Sequence, residues 1–366
     1  VPAVSNLLHA SHVDPAAPRM GALSRGFVDD PPTAIALDLP HVHGPAHGYG
    51  LPTVLPSARI AADGLLDAGG ELHQLKRYQI LARVGEGGMG VVYRAHDPVL
   101  ERDVALKVMK PDVPEAERRR FRQEALYGAR FLHPGTVRVY DLGVVPGRAL
   151  PWFAMEYLPG RDLEAILDTA RARRGGGGLP LRLVTEAFRQ VLAALQYAHD
   201  CDVVHRDVKP ANMFVTRDPN TRFVTTKLLD FGVALSLARE GETRVGPLNT
   251  TSTMVCGDPR YMAPEQTVAG GAIDHQADIY AAGLSLYEVV TGVHPYAEHM
   301  HDPRALLRAH REAPLPPPSR WLPGTVPAEV ACGLDIVCAK ACAKTPRERF
   351  ASARDMQTAL LDVMRL

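Results

Sequence analysis

The 366 residues include only five cysteines, Cys201, Cys256, Cys332, Cys338 and Cys342, with no C-x-x-C pair. An odd, scattered set argues against a disulfide framework, and a reducing cytoplasm is the expected compartment. A surplus of charge is also missing, because Lys plus Arg and Asp plus Glu each number 41. That balance argues against a dedicated nucleic-acid coat or a polybasic membrane binder, both of which need excess positive charge. No run approaches the roughly 18 apolar residues that span a bilayer, so no membrane segment is expected. The first twenty residues carry His9, His12, Asp14 and three prolines, which is no signal-peptide core. What remains is 46% apolar and 22% charged, the balance of a globular chain. At this length one large or two smaller domains are expected.

Composition changes near residue 73. Residues 1–73 are rich in Pro, Ala, Gly and His without helical or strand period, and the expectation is a disordered segment. His41, His43 and His47 cluster there, but with no carboxylate or Cys nearby they read as solvated rather than metal-binding. From Tyr78 the pattern differs. YQILARVGEGGMGVVYRAHD reads as strand, glycine turn, strand, and VALKVMK (104–110) as a further strand. Residues 114–132 read as a helix, with Pro114 near its start. TVRVYDLGVV and PWFAMEYL follow as strands, and after Gly160 helical patterns dominate, as at 185–200 and 277–292. ARARRGGGGLP (170–180) reads as a flexible loop whose arginines are solvated. The outline is a small strand-rich lobe followed by a larger helical one.

Gly85-Glu86-Gly87-Gly88-Met89-Gly90 fits G-x-G-x-x-G. In a dinucleotide-binding unit these glycines would open a helix. Here Val91-Val92-Tyr93 follow, which favours a second strand. A strand–glycine–strand hairpin can fold over phosphates, because glycine lets backbone amides approach closely. A plain glycine-rich hairpin is the alternative at this point. Lys107 then lies inside the apolar run Val104–Val108, where a lone ammonium is costly unless paired. Glu124, on the following charged helix, is a candidate partner.

Further on come Val204-His205-Arg206-Asp207-Val208-Lys209-Pro210-Ala211-Asn212, then Leu229-Asp230-Phe231-Gly232, then Met262-Ala263-Pro264-Glu265. With the glycine loop and VALK, these five motifs resemble, in order, the protein kinase family, and specifically bacterial serine/threonine kinases of the eukaryotic-like type. The resemblance covers about residues 78–362. It implies an α+β, bilobal kinase fold over 74–364, with an antiparallel-sheet N-lobe (74–158) carrying one main helix and a mostly helical C-lobe (159–364).

The resemblance also implies the site. Phosphoryl transfer rests on positioning and charge neutralisation more than on covalent chemistry. Lys107 would hold the α/β-phosphates, steadied by Glu124 rather than by Glu115 or Glu117. Asp207 would accept the proton of the attacking hydroxyl, and Lys209 would steady the γ-phosphate. Asn212 and Asp230 supply hard oxygen ligands for Mg²⁺, with Mn²⁺ as an alternative ion. The glycine loop Val84, Gly85, Glu86, Gly87, Gly88, Met89, Gly90, Val91 would cover the phosphates of ATP. Val92 and Ala105 would lie above the base and Phe214 below it, with Met155 as gatekeeper and Glu156-Tyr157-Leu158 as hinge. Glu265 is expected to pair with Arg349, with Arg347 as the alternative, and Asp278 to hold the backbone at His205-Arg206. The implied partners are ATP and protein substrates.

Residues 232–263 would form the activation segment. Arg206 before Asp207 marks the subtype that a phosphate orders, and Thr250, Thr251, Ser252 and Thr253 are the candidate acceptors. One departure stands out. The family carries Thr where this chain has Asp258, in Gly257-Asp258-Pro259. A carboxylate there would approach Asp207, and like charges repel. An active kinase is therefore expected, against two other readings: a pseudokinase or scaffold, motivated by Asp258 alone, and a small-molecule phosphotransferase. The APE motif and the long activation segment argue against the latter.

Overall fold

Alternating apolar residues from Tyr78 onward build an antiparallel sheet in the computed structural model. The structure describes residues 73–174, 177–217, 224–231, 235–236, 257–268 and 272–365, all within the unit Val42–Leu366. Strands β1 (Gln74–Leu75), β2 (Tyr78–Glu86), β3 (Gly90–Asp97), β4 (Arg102–Met109), β5 (Val139–Val145) and β6 (Leu150–Glu156) form one sheet in the order β1-β2-β3-β4-β6-β5. Central β4 is the most buried, as its apolar run demands, and it carries Lys107. Helix α1 (Glu115–Arg130) shows the sheet only a narrow stripe, burying Phe121, Glu124, Ala125 and Gly128. Phe121 meets Phe153 of β6 with ring centroids 4.9 Å apart, which docks the helix and sets the depth of Glu124.

Strand β7 (Gly160–Asp162) leads into α2 (Leu163–Arg174) and α3 (Leu181–Asp200), then β8 (Val203–Val204), β9 (Met213–Arg217), β10 (Val224–Leu228) and β11 (Leu235–Ser236). The short sheet β10-β9-β7 sets Phe214 and the chain entering Asp230 beside the hinge. Helices α4 (Gln276–Thr291), α5 (Pro303–Glu312), α6 (Ala328–Ala341) and α7 (Ala353–Val363) complete the larger lobe. α3 buries one face, with Val184, Phe188, Val191 and Leu195 at helical spacing. α4 is buried from Ala277 to Thr291, so it forms the lobe's axis rather than a surface helix.

The reading of 170–180 as a solvated loop needs correction. α2 runs to Arg174, and Arg171 donates to Gly292 O at 2.7 Å and to Glu288 at 3.0 Å. Leu179 N–H donates to Val289 O at 2.7 Å, so the glycines beside it run against the end of α4. The partners lie more than 100 residues away, beyond the reach of local pattern. The four residues Thr250, Thr251, Ser252 and Thr253 lie outside the described residues, as does residues 1–72 of the segment expected to be disordered.

Candidate active site

A cleft of about 760 Å³ opens between the sheet and the larger lobe. Its roof is the β2–β3 hairpin, closed by Gly87 N–H donating to Gly90 O at 2.9 Å. Gly90 is required sterically: a Cβ there would lie 2.7 Å from Val108 O. Gly87 and Gly88 have open space where a Cβ would stand, which leaves this backbone approachable. Glu86 is drawn sideways, pairing with Lys110 at 2.5 Å and with Arg83. Below, Val92, Ala105 and Phe214 line the cleft. Met155 sits directly opposite Ala105 in the β4–β6 ladder. Glu156 and Leu158 line the rear, where Leu158 lies beyond the last residue of β6.

Four expected residues do not line the cleft: Gly85, Val91, Glu124 and Asn212. Val91 follows from strand alternation, since Val92 takes the cleft-facing side. Glu124 acts one step back, through Lys107. The lining also includes residues that the motif frame missed, among them Ala82, Arg94 and Arg161. The signal for two of them was available: Ala82 stands two before Val84, and Arg94 two after Val92, on the same strand faces. Arg94 is held by Asp103 at 2.6 Å and lies over the Tyr157 ring at 5.0 Å.

Lys107 is the centre of the charged wall. Its Nζ donates to both Glu124 oxygens at 2.7 Å and to Asp230 Oδ1 at 3.3 Å. Burial alone would lower its pKa, but the carboxylates of Asp230 and Glu124 outweigh that and raise it. Lys107 in turn holds Asp230 below the ordinary carboxylate range. Lys107 grips Glu124 more closely than Asp230, yet burial, with the Asp230 carboxylate nearby, pushes Glu124 up to about 7. Asp230 stands at φ 59° and leaves its side chain 46% accessible, open to the cleft.

The opposite wall is the loop from His205 to Asn212. Asp278 of α4 anchors it: its carboxylate accepts the His205 N–H at 2.8 Å, the Arg206 N–H at 2.7 Å and a hydrogen bond from His199 at 2.8 Å. This holds Arg206 at φ 68°, a left-handed conformation that a non-glycine residue adopts only when its surroundings fix it. His205 Nε2 bonds Leu229 O at 2.8 Å while Nδ1 accepts the Asp207 N–H at 3.3 Å, which assigns the Nε2–H tautomer. His205 thereby ties this loop to the chain entering Asp230. Asp207 receives Asn212 Nδ2 at 3.0 Å and Lys209 Nζ at 2.9 Å on Oδ2, and the Asp258 N–H at 3.0 Å on Oδ1. At the base of the lobe, Glu265 accepts from Arg349 at 2.7 and 2.8 Å, so the partner is Arg349 and not Arg347.

The anchor yields a prediction. Burial would raise the Asp278 pKa, but the hydrogen bonds from His199 and the Arg206 N–H more than offset it and bring it below its ordinary value. Asp278→Asn sets an NH₂ group against a backbone donor and should cost about 2–4 kcal/mol at pH 7. A depressed folded-state pKa stabilises above the ordinary value of about 4 and stops stabilising as pH falls through the folded value. Urea melts at pH 7 and pH 3 should therefore show the gap between wild type and variant narrowing on acidification. A gap of constant size contradicts this role.

The metal that such a cleft implies can be tested against the donors present. Asn212 commits its nitrogen to Asp207, at 2.7 Å to O and 3.0 Å to Oδ2, which leaves its own Oδ1 as an acceptor. With the open Asp230 carboxylate, this is a pair of hard oxygen donors that fits Mg²⁺, an ion that takes one or two protein ligands plus phosphate oxygens and water. Among the described residues no group of three or more His, Cys, Asp or Glu could hold a metal by itself.

Asp258 does not confront Asp207 with its carboxylate. Gly257, at φ 109°, turns the chain so that the Asp258 N–H meets Asp207, while the side chain accepts from Arg260 N–H at 3.0 Å, Nε at 3.1 Å and Nη2 at 2.8 Å. Burial would raise the Asp258 pKa; the Arg260 hydrogen bonds more than offset it and lower it.

The described domain carries a cleft roofed by glycines and lined by Lys107, Lys209 and Arg94, an arrangement suited to an anionic ligand. The protein kinase domain model matches residues 78–358, and the chain belongs to the protein kinase family, in its bacterial eukaryotic-like branch. It is 37% identical over 287 residues to serine/threonine-protein kinase pkn3 of Myxococcus xanthus, covering 78% of this chain and 49% of that one. It is 35% identical over 296 residues to PknB of Mycobacterium tuberculosis, covering 80% and 43%. The crystal structure of the M. tuberculosis PknI kinase domain superposes with a TM-score of 0.57 at 29% identity, over 79% of this chain and 97% of that one. The chain spans about half the length of the curated relatives it matches. Among the described residues no helix is long and apolar enough to cross a membrane.

Proposed function

We propose that this chain is a serine/threonine protein kinase that moves the γ-phosphate of ATP to Ser or Thr hydroxyls of proteins. The observation that carries the reading is one cleft lined by Lys107, gripped by Glu124 and Asp230, and by Asp207 and Lys209, with Asn212 bonded behind Asp207. The adenine would lie between Val92 and Ala105 above and Phe214 below, bonded to the hinge backbone behind Met155. Lys107 would draw in the α/β-phosphates, and the glycine-loop amides would cover the chain of phosphates and exclude water. Mg²⁺, or Mn²⁺ in its place, held by Asn212 and Asp230, supplies neutralisation of phosphate charge when bound.

Asp207 would hold the substrate hydroxyl by accepting its hydrogen. As the hydroxyl oxygen bonds the γ-phosphorus, the bond from that phosphorus to the β–γ bridging oxygen breaks, ADP leaves, and the proton passes to Asp207. Lys209, 2.9 Å from Asp207, would balance charge on the transferring group. The test is transfer from γ-labelled ATP, with and without a generic protein substrate. Label on protein supports the reading, and label found only on small molecules or nowhere opposes it. We place the protein in the cytoplasm; among the described residues Cys201, Cys332, Cys338 and Cys342 are free thiols, as such a setting would keep them.

We further propose autophosphorylation of the activation segment on Thr250, Thr251, Ser252 or Thr253. Arg206 Nε is a buried donor with no partner among the described residues, and a phosphate would provide charge-assisted acceptors for it. Mass spectrometry after incubation with ATP should find phosphate on one of the four. Replacing all four with Ala should slow phosphorylation of an added substrate. Equal rates for the four-Ala variant, phosphatase-treated wild type and untreated wild type would leave only a constitutively active enzyme.

A further inference from the structure

The aspartate at position 258 creates a charge problem that this chain resolves locally. Lys209 Nζ lies 2.9 Å from Asp207 Oδ2 and 3.9 Å from Asp258 Oδ2. One ammonium is thus within reach of two carboxylates and cannot neutralise both at close range. Asp258 is instead claimed by Arg260, two residues on, through its backbone N–H and the Nε–Nη2 edge of its guanidinium. The remaining face of Arg260 is fixed by Glu164 of α2, with Nη1 to Oε1 at 2.9 Å. The backbone is fixed too: His294 Nε2 bonds Arg260 O at 2.8 Å, and His310 Nε2 bonds Pro259 O at 3.0 Å. Side chain and main chain of Arg260 are therefore both held, from α2 on one side and from the α4–α5 region on the other.

We infer that Arg260 is a positioning residue that makes Asp258 compatible with catalysis. It holds the Asp258 carboxylate off the Asp207–Lys209 pair, so that Asp207 meets only the Asp258 N–H and keeps Lys209. Without the guanidinium, the Asp258 carboxylate becomes a second, uncompensated anion beside Lys209. It then draws the ammonium away from Asp207 and repels the Asp207 carboxylate. This inference rests on the kinase reading, and it adds a dependence between two residues that neither alone displays.

The test is a double-mutant cycle of wild type, R260A, D258T and D258T/R260A. In the native background R260A should lower kcat about tenfold, within the range of couplings between contacting residues, with KM for ATP within about twofold. In the D258T background the same change should cost less than about twofold. R260K, which retains a cation for Asp258, should recover part of the loss. An Arg260 that merely shapes the loop would cost the same in both backgrounds, and that result overturns the inference. A second cycle needs no turnover. R260A should lower Tm by at least ~3 °C, and D207N/R260A should regain part of that fall because one of the crowded anions is gone. A Tm loss unaffected by D207N overturns the inference as well. Absence of transfer by wild type would count against the kinase reading, while the melting cycle still decides the charge coupling.

Discussion

Asp207→Asn lowers phosphoryl transfer by about 10²–10⁴-fold, the usual contribution of a positioned acid–base group. The expectation follows from the three donors that surround the carboxylate: Asn212 and Lys209 on Oδ2 and the Asp258 N–H on Oδ1. Together they hold it as a hydrogen-bond acceptor at the cleft. An asparagine keeps the shape but loses the acceptor for the hydroxyl proton, and it sets an NH₂ group against other donors. The affinity for ATP should stay within about threefold, because the lost interaction belongs to the transfer step rather than to ground-state binding. Rates from γ-labelled ATP, with nucleotide affinity measured on the same samples, check both halves. Transfer at the wild-type rate would remove Asp207 from its role.

Lys107→Met is expected to have the next largest effect. The ammonium holds Glu124 at 2.7 Å and Asp230 at 3.3 Å, with its own side chain only 11% accessible. Removing the charge leaves two acids facing each other with no cation between them, which favours protonation of one or withdrawal of α1 from the sheet. The proposed phosphate contacts would be lost at the same time. We expect kcat/KM to fall about 10²–10³-fold, as for removal of one preorganised charge, and the rise in Tm on adding ATP to disappear. A variant that keeps both its activity and its ATP-dependent rise in Tm contradicts the placement of Lys107 at the phosphates.

The grouping of Asp207, Lys209 and Asn212, and the glycine hairpin, were readable in the sequence because their elements are short and local. His205 to Asn212 lies within eight consecutive residues, and the glycine hairpin within one strand pair. Strand alternation could also have assigned Ala82 and Arg94 to the cleft. Other features were hidden for two physical reasons. First, some partners are far apart in the chain: Arg260 with Glu164, Arg171 with Glu288, and Lys227, whose Nζ reaches Glu156 at 2.8 Å from 71 residues away. Second, many acceptors are backbone carbonyls, such as those of Pro259, Arg260 and Leu229 that take bonds from His310, His294 and His205. A carbonyl is present at every residue and leaves no mark on the sequence. Asp258 shows the cost of this blindness. Its residue type predicts repulsion of Asp207, and only its geometry reveals that Arg260 holds the carboxylate while the backbone N–H takes the position facing Asp207.

The most direct test of the central claim is a single assay. The protein, in wild-type and Asp207→Asn forms, is incubated with γ-labelled ATP, Mg²⁺ and a generic protein substrate, and the label is traced to individual amino acids. Wild type should place label on serine and threonine, with the variant reduced at least ~10²-fold. Label absent from protein in the wild type, or equal in both forms, would contradict it.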